Sequence, residues 1–420
     1  MAYSVQSRDS LVDGLWLMAP GAEPWPLAGA AWTDPRPATE AGRFYRVLAV
    51  NAAQRGKVLA RTAAAYYAKS LLTFLLASQG ITETPQYDVA LYTLRYETID
   101  PLGSRTQASG VLALPVNPGR TIPLLSYQHG TLVRKADAPS LNAFGERLIA
   151  VAFAAAGYAG VVPDYLGMGD SPGTHPYHHA RSEATACVDM LRAARTVCAE
   201  AGVSLNDQLF LCGYSQGGHA TMALHRELET YHASEFTVTA SAPMAGAYDL
   251  SGVTTDDVLS GRPMPNPYYF IYVLASYQAV YHLANSLADL LAPPYDTSLP
   301  PLMNGLNGGD TINAAMPLVA TNILRPSQLE AFLHDPQHPL RVALRDNDLY
   351  AWAPRAPIRL YHCSGDLDVP PANSQVAYDS LRRQAQGPIL LINPSPGANH
   401  GGCVLPSMLG AKAWFDGLKR

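Results

Sequence analysis

The sequence lacks several features that would place it in a specialised class. No uninterrupted apolar run is long enough to span a bilayer; the nearest, SLLTFLLA at 70–77, is short and follows Lys69. The cysteines number only five and have no C-x-x-C spacing, which argues against a zinc site or a disulfide scaffold. They still allow a single bridge between partners that the sequence does not identify. The net charge is −5, so neither a nucleic acid nor an anionic membrane is expected as a partner.

The first residues also lack the pattern of a secretion signal. Asp9 and Asp13 occupy the zone where such a signal would be cationic and then apolar. The expected location is therefore the cytoplasm, or the exterior if the chain is a mature secreted form with a replacement methionine. The sequence does not predict an oligomeric state.

What the sequence has is the composition of a folded protein with a sizeable core: 48% hydrophobic and 15% charged residues over 420 positions. That length suits two domains, or one large domain with an insertion. The pattern along the chain predicts four segments. They are an N-terminal helical extension (1–86), a first α/β core segment (87–249), an inserted helical cap (250–350) and a second core segment (351–420).

The fold class follows from the order of short apolar runs and helical patterns. From residue 87 onward, runs closed by Pro, Gly or Asp are typical of strands, and amphipathic stretches ended by Gly lie between them. Strand and helix in alternation predict an α/β fold with a mostly parallel central sheet and flanking helices. Residues 54–80, in contrast, predict one long helix ended by Gly80.

Two stretches match G-x-S-x-G, the pattern of a nucleophilic serine on a strand-to-helix turn. Ser215 directly follows the strand pattern LFLCG and directly precedes a helical pattern, whose N-terminus favours a developing anion. Ser171 is followed by Pro172, which has no N–H to donate, and no helical pattern begins there. Ser215 is therefore the predicted nucleophile, and Ser171 is predicted to lie in a turn-rich loop.

A serine nucleophile needs an imidazole to take its proton and a carboxylate to fix the tautomer of that imidazole. His400 lies in a Gly- and Pro-rich loop after the late strand pattern PILLIN and is the predicted base. Other histidines suit packing or solvation better; they are His362, His334 and His338. Asp366 comes first after the strand pattern IRLYHCSG and is favoured as the acid over Asp368.

An oxyanion site needs backbone N–H donors. Gln216 follows the nucleophile and supplies the first, and Thr131, in the early loop His-Gly-Thr, is the candidate for the second. His129 is expected to brace that loop through hydrogen bonds. Aromatic residues of the cap either line an apolar substrate pocket or pack an ordinary helix, and the sequence favours neither; they are Tyr268, Tyr269, Phe270, Tyr272, Tyr277 and Tyr281.

Five motifs in this order resemble the α/β-hydrolase superfamily, in particular its secretory-lipase-like branch of esterases and lipases. They are YQHGT, the stretch PDYLGMGDSPGTHPYHHARSEATACVDMLRAAR, CGYSQGGHA, HCSGDLDVPPANS and NHGGC. The resemblance covers 87–247 and 350–420 well, the cap in character and the first 80 residues weakly. It implies an α/β-hydrolase fold, hydrolysis of a small-molecule or lipid carboxylic ester through an acyl-serine intermediate, and no cofactor or metal. It maps nucleophile, acid and base to Ser215, Asp366 and His400. In one departure, Cys363 stands where the acid motif of the family usually has glycine.

Three other functions stay open at this point. An acyltransferase would use the same triad with an alcohol or amine in place of water. A peptidase or amidase is disfavoured because no propeller-like repeat precedes the core. A non-catalytic binding protein on the same scaffold is disfavoured because all three triad residues are present.

Overall fold

A computed structural model describes residues 1–11, 14–23, 25–27, 29, 31–36 and 42–420. Its strands are Ala2–Arg8 (β1), Leu17–Met18 (β2), Phe44–Val50 (β3), Val58–Tyr67 (β4), Val89–Ile99 (β5), Arg105–Pro115 (β6), Ile122–Gln128 (β7), Ala159–Pro163 (β8), Leu205–Tyr214 (β9), Val238–Met244 (β10), Ile358–Tyr361 (β11) and Ile389–Ile392 (β12). Its α-helices are Lys69–Ser78 (α1), Arg147–Ala155 (α2), Ala180–Glu200 (α3), Gln216–Tyr231 (α4), Thr255–Leu259 (α5), Tyr268–Tyr281 (α6), Tyr295–Ser298 (α7), Gly309–Asn313 (α8), Pro326–His334 (α9), Pro339–Asp346 (α10), Ala372–Leu381 (α11) and Val404–Leu418 (α12). No helix in this described part of the chain is long and apolar enough to cross a membrane.

Nine of the strands form one sheet in the order β12-β11-β10-β9-β7-β8-β6-β5-β4. Neighbouring strands on the side of the sheet that runs from β8 through β7, β9, β10 and β11 to β12 are parallel. On the other side, β8 pairs antiparallel with β6, β6 with β5, and β5 with β4. Helices α2, α3 and α4 connect successive parallel strands, as the alternating pattern predicted. The predicted fold class, a mostly parallel sheet with flanking helices, is confirmed. Strand β10 was not among the predicted strands.

Apolar side chains cover both faces of this sheet. Residues of α3 and α4 share one cluster with one set of strand side chains. Residues of α2 and α12 share a second cluster with the alternate set, for example Phe210 and Cys212 of β9 opposite Phe415. Because parallel strands end at a common edge, the loops after β7, β9, β11 and β12 lie together there, where open α/β sheets bind ligands.

The prediction of a helical N-terminal extension is wrong. Strands β1, β2 and β3 form a separate three-stranded sheet, and β4 is the edge strand of the main sheet. The single helix predicted for 54–80 is a strand followed by a ten-residue helix, which does end before Gly80. Alanines gave the segment a local helical preference, but pairing of β4 with β5 overrides it. Residues 12, 13, 24, 28, 30 and 37–41 of this predicted segment lie outside the described residues.

Between β10 and β11 the chain forms α5 to α10 together with short irregular turns. Their apolar residues make up most of a further cluster, which contains buried side chains of α6 such as Phe270, Ile271 and Leu274 and also Val133 and Tyr177 from outside this segment. This helical segment lies over the loops at the carboxyl edge, since the hydroxyl of Tyr272 donates to the carbonyl oxygen of Leu132 in the loop after β7. The division of the chain at residues 249/250 and 350/351 stays a prediction.

Candidate active site

Ser215 occupies the turn between β9 and α4. Its φ of +61° is a left-handed conformation that a residue with a side chain rarely adopts. A hydrogen bond from its N–H to the carbonyl oxygen of Met244, at 2.9 Å, helps to hold that turn. The turn packs so tightly on β7 that a Cβ at Gly217 would collide with the carbonyl oxygen of Gln128. These constraints present the Ser215 side chain above the carboxyl edge of the sheet.

His400 lies in the loop between β12 and α12 and reaches Ser215 across 185 residues of sequence. Its Nε2 is 2.9 Å from Oγ of Ser215, and its Nδ1 is 2.6 Å from Oδ2 of Asp366. An ionised carboxylate only accepts, so Nδ1 carries the proton and Nε2 is left to accept the serine hydroxyl. The hydroxyl of Tyr214 donates to the carbonyl oxygen of His400 at 2.7 Å, which fixes the loop beside the turn.

Asp366 is buried in the loop after β11, with a fully enclosed carboxylate. Its Oδ1 accepts the backbone N–H groups of Asp368 and Val369, each at 2.9 Å, and its Oδ2 lies 3.2 Å from Nε2 of His362. Burial alone would raise the pKa of this carboxyl, but the hydrogen bonds from His362 and His400 outweigh it and hold the pKa well below the usual range. His362 therefore contacts the carboxylate, a role that its strand-like sequence context did not reveal.

Asp368, the alternative acid, points elsewhere: its Oδ1 accepts the side-chain amide of Asn266 at 2.6 Å. Ser171, the alternative nucleophile, lies in the loop between β8 and α3, and no helix begins at it. Of the competing residues in the two motifs, the structure brings Ser215 and Asp366 to His400.

A disulfide links the two loops that carry Asp366 and His400. It joins Cys363, three residues before Asp366, to Cys403, three residues after His400. The unusual Cys363 is thus explained by its partner, and the bridge ties the end of β11 to the start of α12. The other cysteines are unpaired and buried; they are Cys187, Cys198 and Cys212.

The loop after β7 lies against the turn at Ser215. A Cβ at Gly130 would be in van der Waals range of the Ser215 Cβ, at 3.9 Å. The Gly130 N–H donates to both carboxylate oxygens of Glu146, at 3.1 and 3.0 Å, and Glu146 also accepts the Tyr127 hydroxyl at 2.5 Å. Thr131 is held by a 2.9 Å contact between its Oγ1 and the hydroxyl of Tyr177. Sequence reasoning missed Glu146, because a Glu at the start of an amphipathic helix is commonplace.

His129 is the first residue of that loop. Its Nδ1 is 2.7 Å from the carbonyl oxygen of Gly130 and its Nε2 is 3.2 Å from that of Asp164. Both ring nitrogens are thus directed at backbone, as expected of a residue that braces the loop.

Behind Ser215, the side chain of Gln216 is held in a buried polar network. Its Nε2 is 2.8 Å from Oε1 of Glu183 and 2.7 Å from Nε2 of His175, whose Nδ1 lies 2.8 Å from the carbonyl oxygen of Leu166. The backbone N–H of Gln216, at the first turn of α4, has no acceptor within the helix and is available to a ligand. Glu183 was not singled out in the sequence, since it is one of several acids on a long helix.

A cavity next to Ser215 is enclosed mainly by apolar side chains of the cap, among them Leu250, Val258, Tyr269, Phe270 and Phe332. Of the six aromatic residues considered in the sequence, Tyr269 and Phe270 line this cavity. The others mainly pack or bond within the protein; Tyr277, for example, donates to the carbonyl oxygen of His178 and Tyr281 to the carboxylate of Asp346. Two of the six residues therefore line a cavity and the other four mainly pack within the protein; that the cavity binds substrate stays a prediction.

Comparison with known proteins points to one group. The sequence model of the secretory lipase family matches residues 134–262. No curated protein sequence matches the chain. Among solved structures, a Legionella pneumophila protein with a provisional assignment as a hydrolase has a TM-score of 0.80 at 29% identity, over 86% of this chain and 98% of that one. The rice cell wall degrading esterase LipA from Xanthomonas oryzae has a TM-score of 0.73 at 28% identity, over 86% and 95%.

A more distant structure shares the fold alone: Candida antarctica lipase A, with a TM-score of 0.63 at 16% identity over 87% of this chain and 83% of that one. The family match, the esterase likeness and the nine-stranded sheet agree with one another. The chain is therefore a carboxylic ester hydrolase with the α/β-hydrolase fold, and its residues 134–262 are similar to the secretory lipase family.

Proposed function

We propose that the chain hydrolyses carboxylic esters through an acyl-serine intermediate, with Ser215 as nucleophile, His400 as base and Asp366 as the acid that orients the base. The observation that supports this best is the pair of consecutive hydrogen bonds from Ser215 to His400 and from His400 to Asp366. That arrangement has the geometry that an activated serine requires.

In this mechanism Nε2 of His400 takes the Ser215 proton while Oγ attacks the ester carbonyl. The imidazolium that forms is stabilised by the ionised carboxylate of Asp366. The same proton then passes to the departing alcohol. Water, deprotonated by His400 in turn, attacks the acyl-serine and releases the acid.

The backbone N–H groups of Gln216 and Thr131 are proposed to hold the oxyanion of the tetrahedral intermediate. Gln216 N–H lies at the N-terminus of the 16-residue helix α4, where the helix dipole adds to the stabilisation. Gly130 N–H is occupied by Glu146, which leaves the next N–H along the loop as the donor. Loss of one such donor typically costs about 3 kcal/mol of transition-state stabilisation.

The apolar cavity beside Ser215 is proposed to bind the acyl or alcohol part of the ester, because most of its lining is hydrocarbon or aromatic. The acceptor of the acyl group is proposed to be water. Transfer to an alcohol would use the same residues, and it is measured by adding 1-butanol and comparing butyl ester with free acid among the products. Rates on p-nitrophenyl esters from acetate to palmitate would give the chain-length preference.

The decisive test compares the two serines of the G-x-S-x-G motifs. Ser215→Ala is expected to lower p-nitrophenyl ester hydrolysis at least about a thousand-fold and to abolish covalent labelling by a fluorophosphonate, read as the mass of the intact protein. Ser171→Ala, the matched control, should keep both activities. Retention of turnover by Ser215→Ala would refute the proposal.

A further inference from the structure

Three side chains of types that can bind a metal ion lie close together behind the turn at Ser215. They are His178 in the loop before α3, Glu183 on α3 and His219 on α4, and one nitrogen or oxygen atom of each lies within 4.8 Å of the other two. All three residues are buried, with exposed fractions of 6%, 1% and 0%. None of them contacts the reacting atoms in the mechanism proposed above, and Glu183 is linked to it only through the Gln216 side chain that it holds.

Glu183 and His219 form a close buried pair. Nδ1 of His219 is 2.8 Å from Oε2 of Glu183, and Nε2 of His219 is 3.1 Å from the carbonyl oxygen of Asn347. A carbonyl only accepts, so Nε2 carries a proton and, in the neutral ring, Nδ1 presents its lone pair to the carboxylate. Either a second proton or a metal ion must lie between the two atoms. A backbone carbonyl on the outer nitrogen is also the usual support of a metal-binding histidine.

His178 is the third member, and a shared proton does not explain it. Its Nδ1 is buried and has no hydrogen-bond partner among the described residues. Its backbone has a φ of +56°, an uncommon conformation that costs free energy. The backbone N–H of His178 donates to Oε1 of Glu183 at 3.3 Å, and this hydrogen bond keeps the residue beside the carboxylate.

We propose that His178, Glu183 and His219 bind a divalent transition-metal ion of the Zn²⁺ class. Two imidazoles and one carboxylate suit Zn²⁺, Co²⁺, Ni²⁺ or Cu²⁺, whereas Mg²⁺ and Ca²⁺ prefer oxygen donors throughout. Ligand bonds of about 2.0–2.2 Å are reached by small shifts of side chains that are already within 4.8 Å of one another. The metal replaces the proton between Glu183 and His219, so binding releases a proton.

The ion would reach this site from the substrate cavity. His178 and Ser215 both line that cavity, and three protein ligands leave a fourth coordination position for water or another ligand. The site is therefore distinct from the proposed triad, but next to it.

The test is an isothermal calorimetric titration of Zn²⁺ into the full chain, prepared without a tag and treated with a chelator beforehand. We expect one ion per chain, and a loss of affinity of at least about ten-fold in His178→Ala. The control is His334→Ala, which removes the exposed His334–Glu330 pair on α9 and should leave the affinity unchanged. No binding to the wild type, or equal binding to His178→Ala, would overturn the proposal in favour of a proton-bridged Glu183–His219 pair.

A second measurement does not depend on a variant that folds. Co²⁺ added to the wild-type chain should give the intense visible absorption of four-coordinate Co²⁺, and Zn²⁺ should abolish it. Only the weak spectrum of hydrated Co²⁺ would count against the site. Both experiments can be run in the Ser215→Ala background, so failure of the metal site and failure of the esterase mechanism are separately observable.

Discussion

Nδ1 of His400 lies 2.6 Å from Oδ2 of Asp366, and Oδ1 of the same carboxylate accepts two backbone N–H groups. One oxygen thus fixes the imidazole while the other fixes the carboxylate. A short loop after β11 therefore determines which nitrogen of His400 faces Ser215.

Replacement of this carboxylate tests the orientation directly. In Asp366→Asn the side-chain amide no longer favours a proton on Nδ1, so the tautomer that accepts from Ser215 is lost. We expect kcat for p-nitrophenyl ester hydrolysis to fall by roughly 10³- to 10⁴-fold with a small change in KM. Asp368→Asn, two residues along the same loop, should reduce kcat by less than about ten-fold. Equal losses of kcat in the two variants would show that the assignment of Asp366 as the acid is wrong.

The depressed pKa of Asp366 also predicts how stability depends on pH. In the unfolded chain this carboxyl titrates near its ordinary pKa of about 3.9, and in the folded protein it titrates well below that value. The ionised group therefore stabilises the fold above about pH 4, and this contribution is lost as the pH falls from there toward the folded pKa. Urea unfolding between pH 6 and 3 should show a smaller loss of stability on acidification in Asp366→Asn than in the wild type. Asp379→Asn, at a half-buried position on α11 where the carboxylate pairs with Arg382, is the control and should follow the wild type.

Much of the site could be predicted because its position depends on the order of strand and helix patterns and on the topology of a parallel sheet. A serine between a strand pattern and a helix pattern must lie at the carboxyl edge of a parallel sheet, and the loops after later strands must end at that same edge. Ser215, Asp366 and His400 were predicted on this basis, and the structure brings them within hydrogen-bond distance.

What the sequence did not reveal depends on contacts between distant segments. Strand β4 looks helical locally and is a strand only because β5 pairs with it. The bridge between Cys363 and Cys403 follows from two loops meeting, and spacing does not encode that. Glu146 matters because Gly130 lies beside it, 16 residues away along the chain.

The disulfide should stabilise the protein and hold the acid and base loops together. A bridge that closes a loop of this size is typically worth about 2–4 kcal/mol, here for a sequence separation of 40. In the double variant Cys363→Ser/Cys403→Ser, the free energy of unfolding measured by urea denaturation is expected to be lower by that amount, and kcat is expected to be lower. Dithiothreitol should bring the wild type toward the variant while the variant itself does not respond. An unchanged free energy of unfolding after reduction of the wild type would show that the bridge does not contribute to stability.

Glu146 is expected to act as a positioning residue for the oxyanion loop. It accepts the Gly130 N–H and the Tyr127 hydroxyl, and so fixes the peptide that precedes the proposed donor of Thr131. Glu146→Ala should lower kcat by roughly ten- to a hundred-fold, because a donor displaced by about 1 Å stabilises the oxyanion poorly. KM should change little, since the apolar cavity is lined by other residues. Glu146→Gln retains an oxygen that can accept the Gly130 N–H and should recover most of kcat. A purely structural role would instead lower the thermal midpoint of both variants and leave kcat of the folded fraction unchanged, which melting curves and active-site titration with the fluorophosphonate would distinguish.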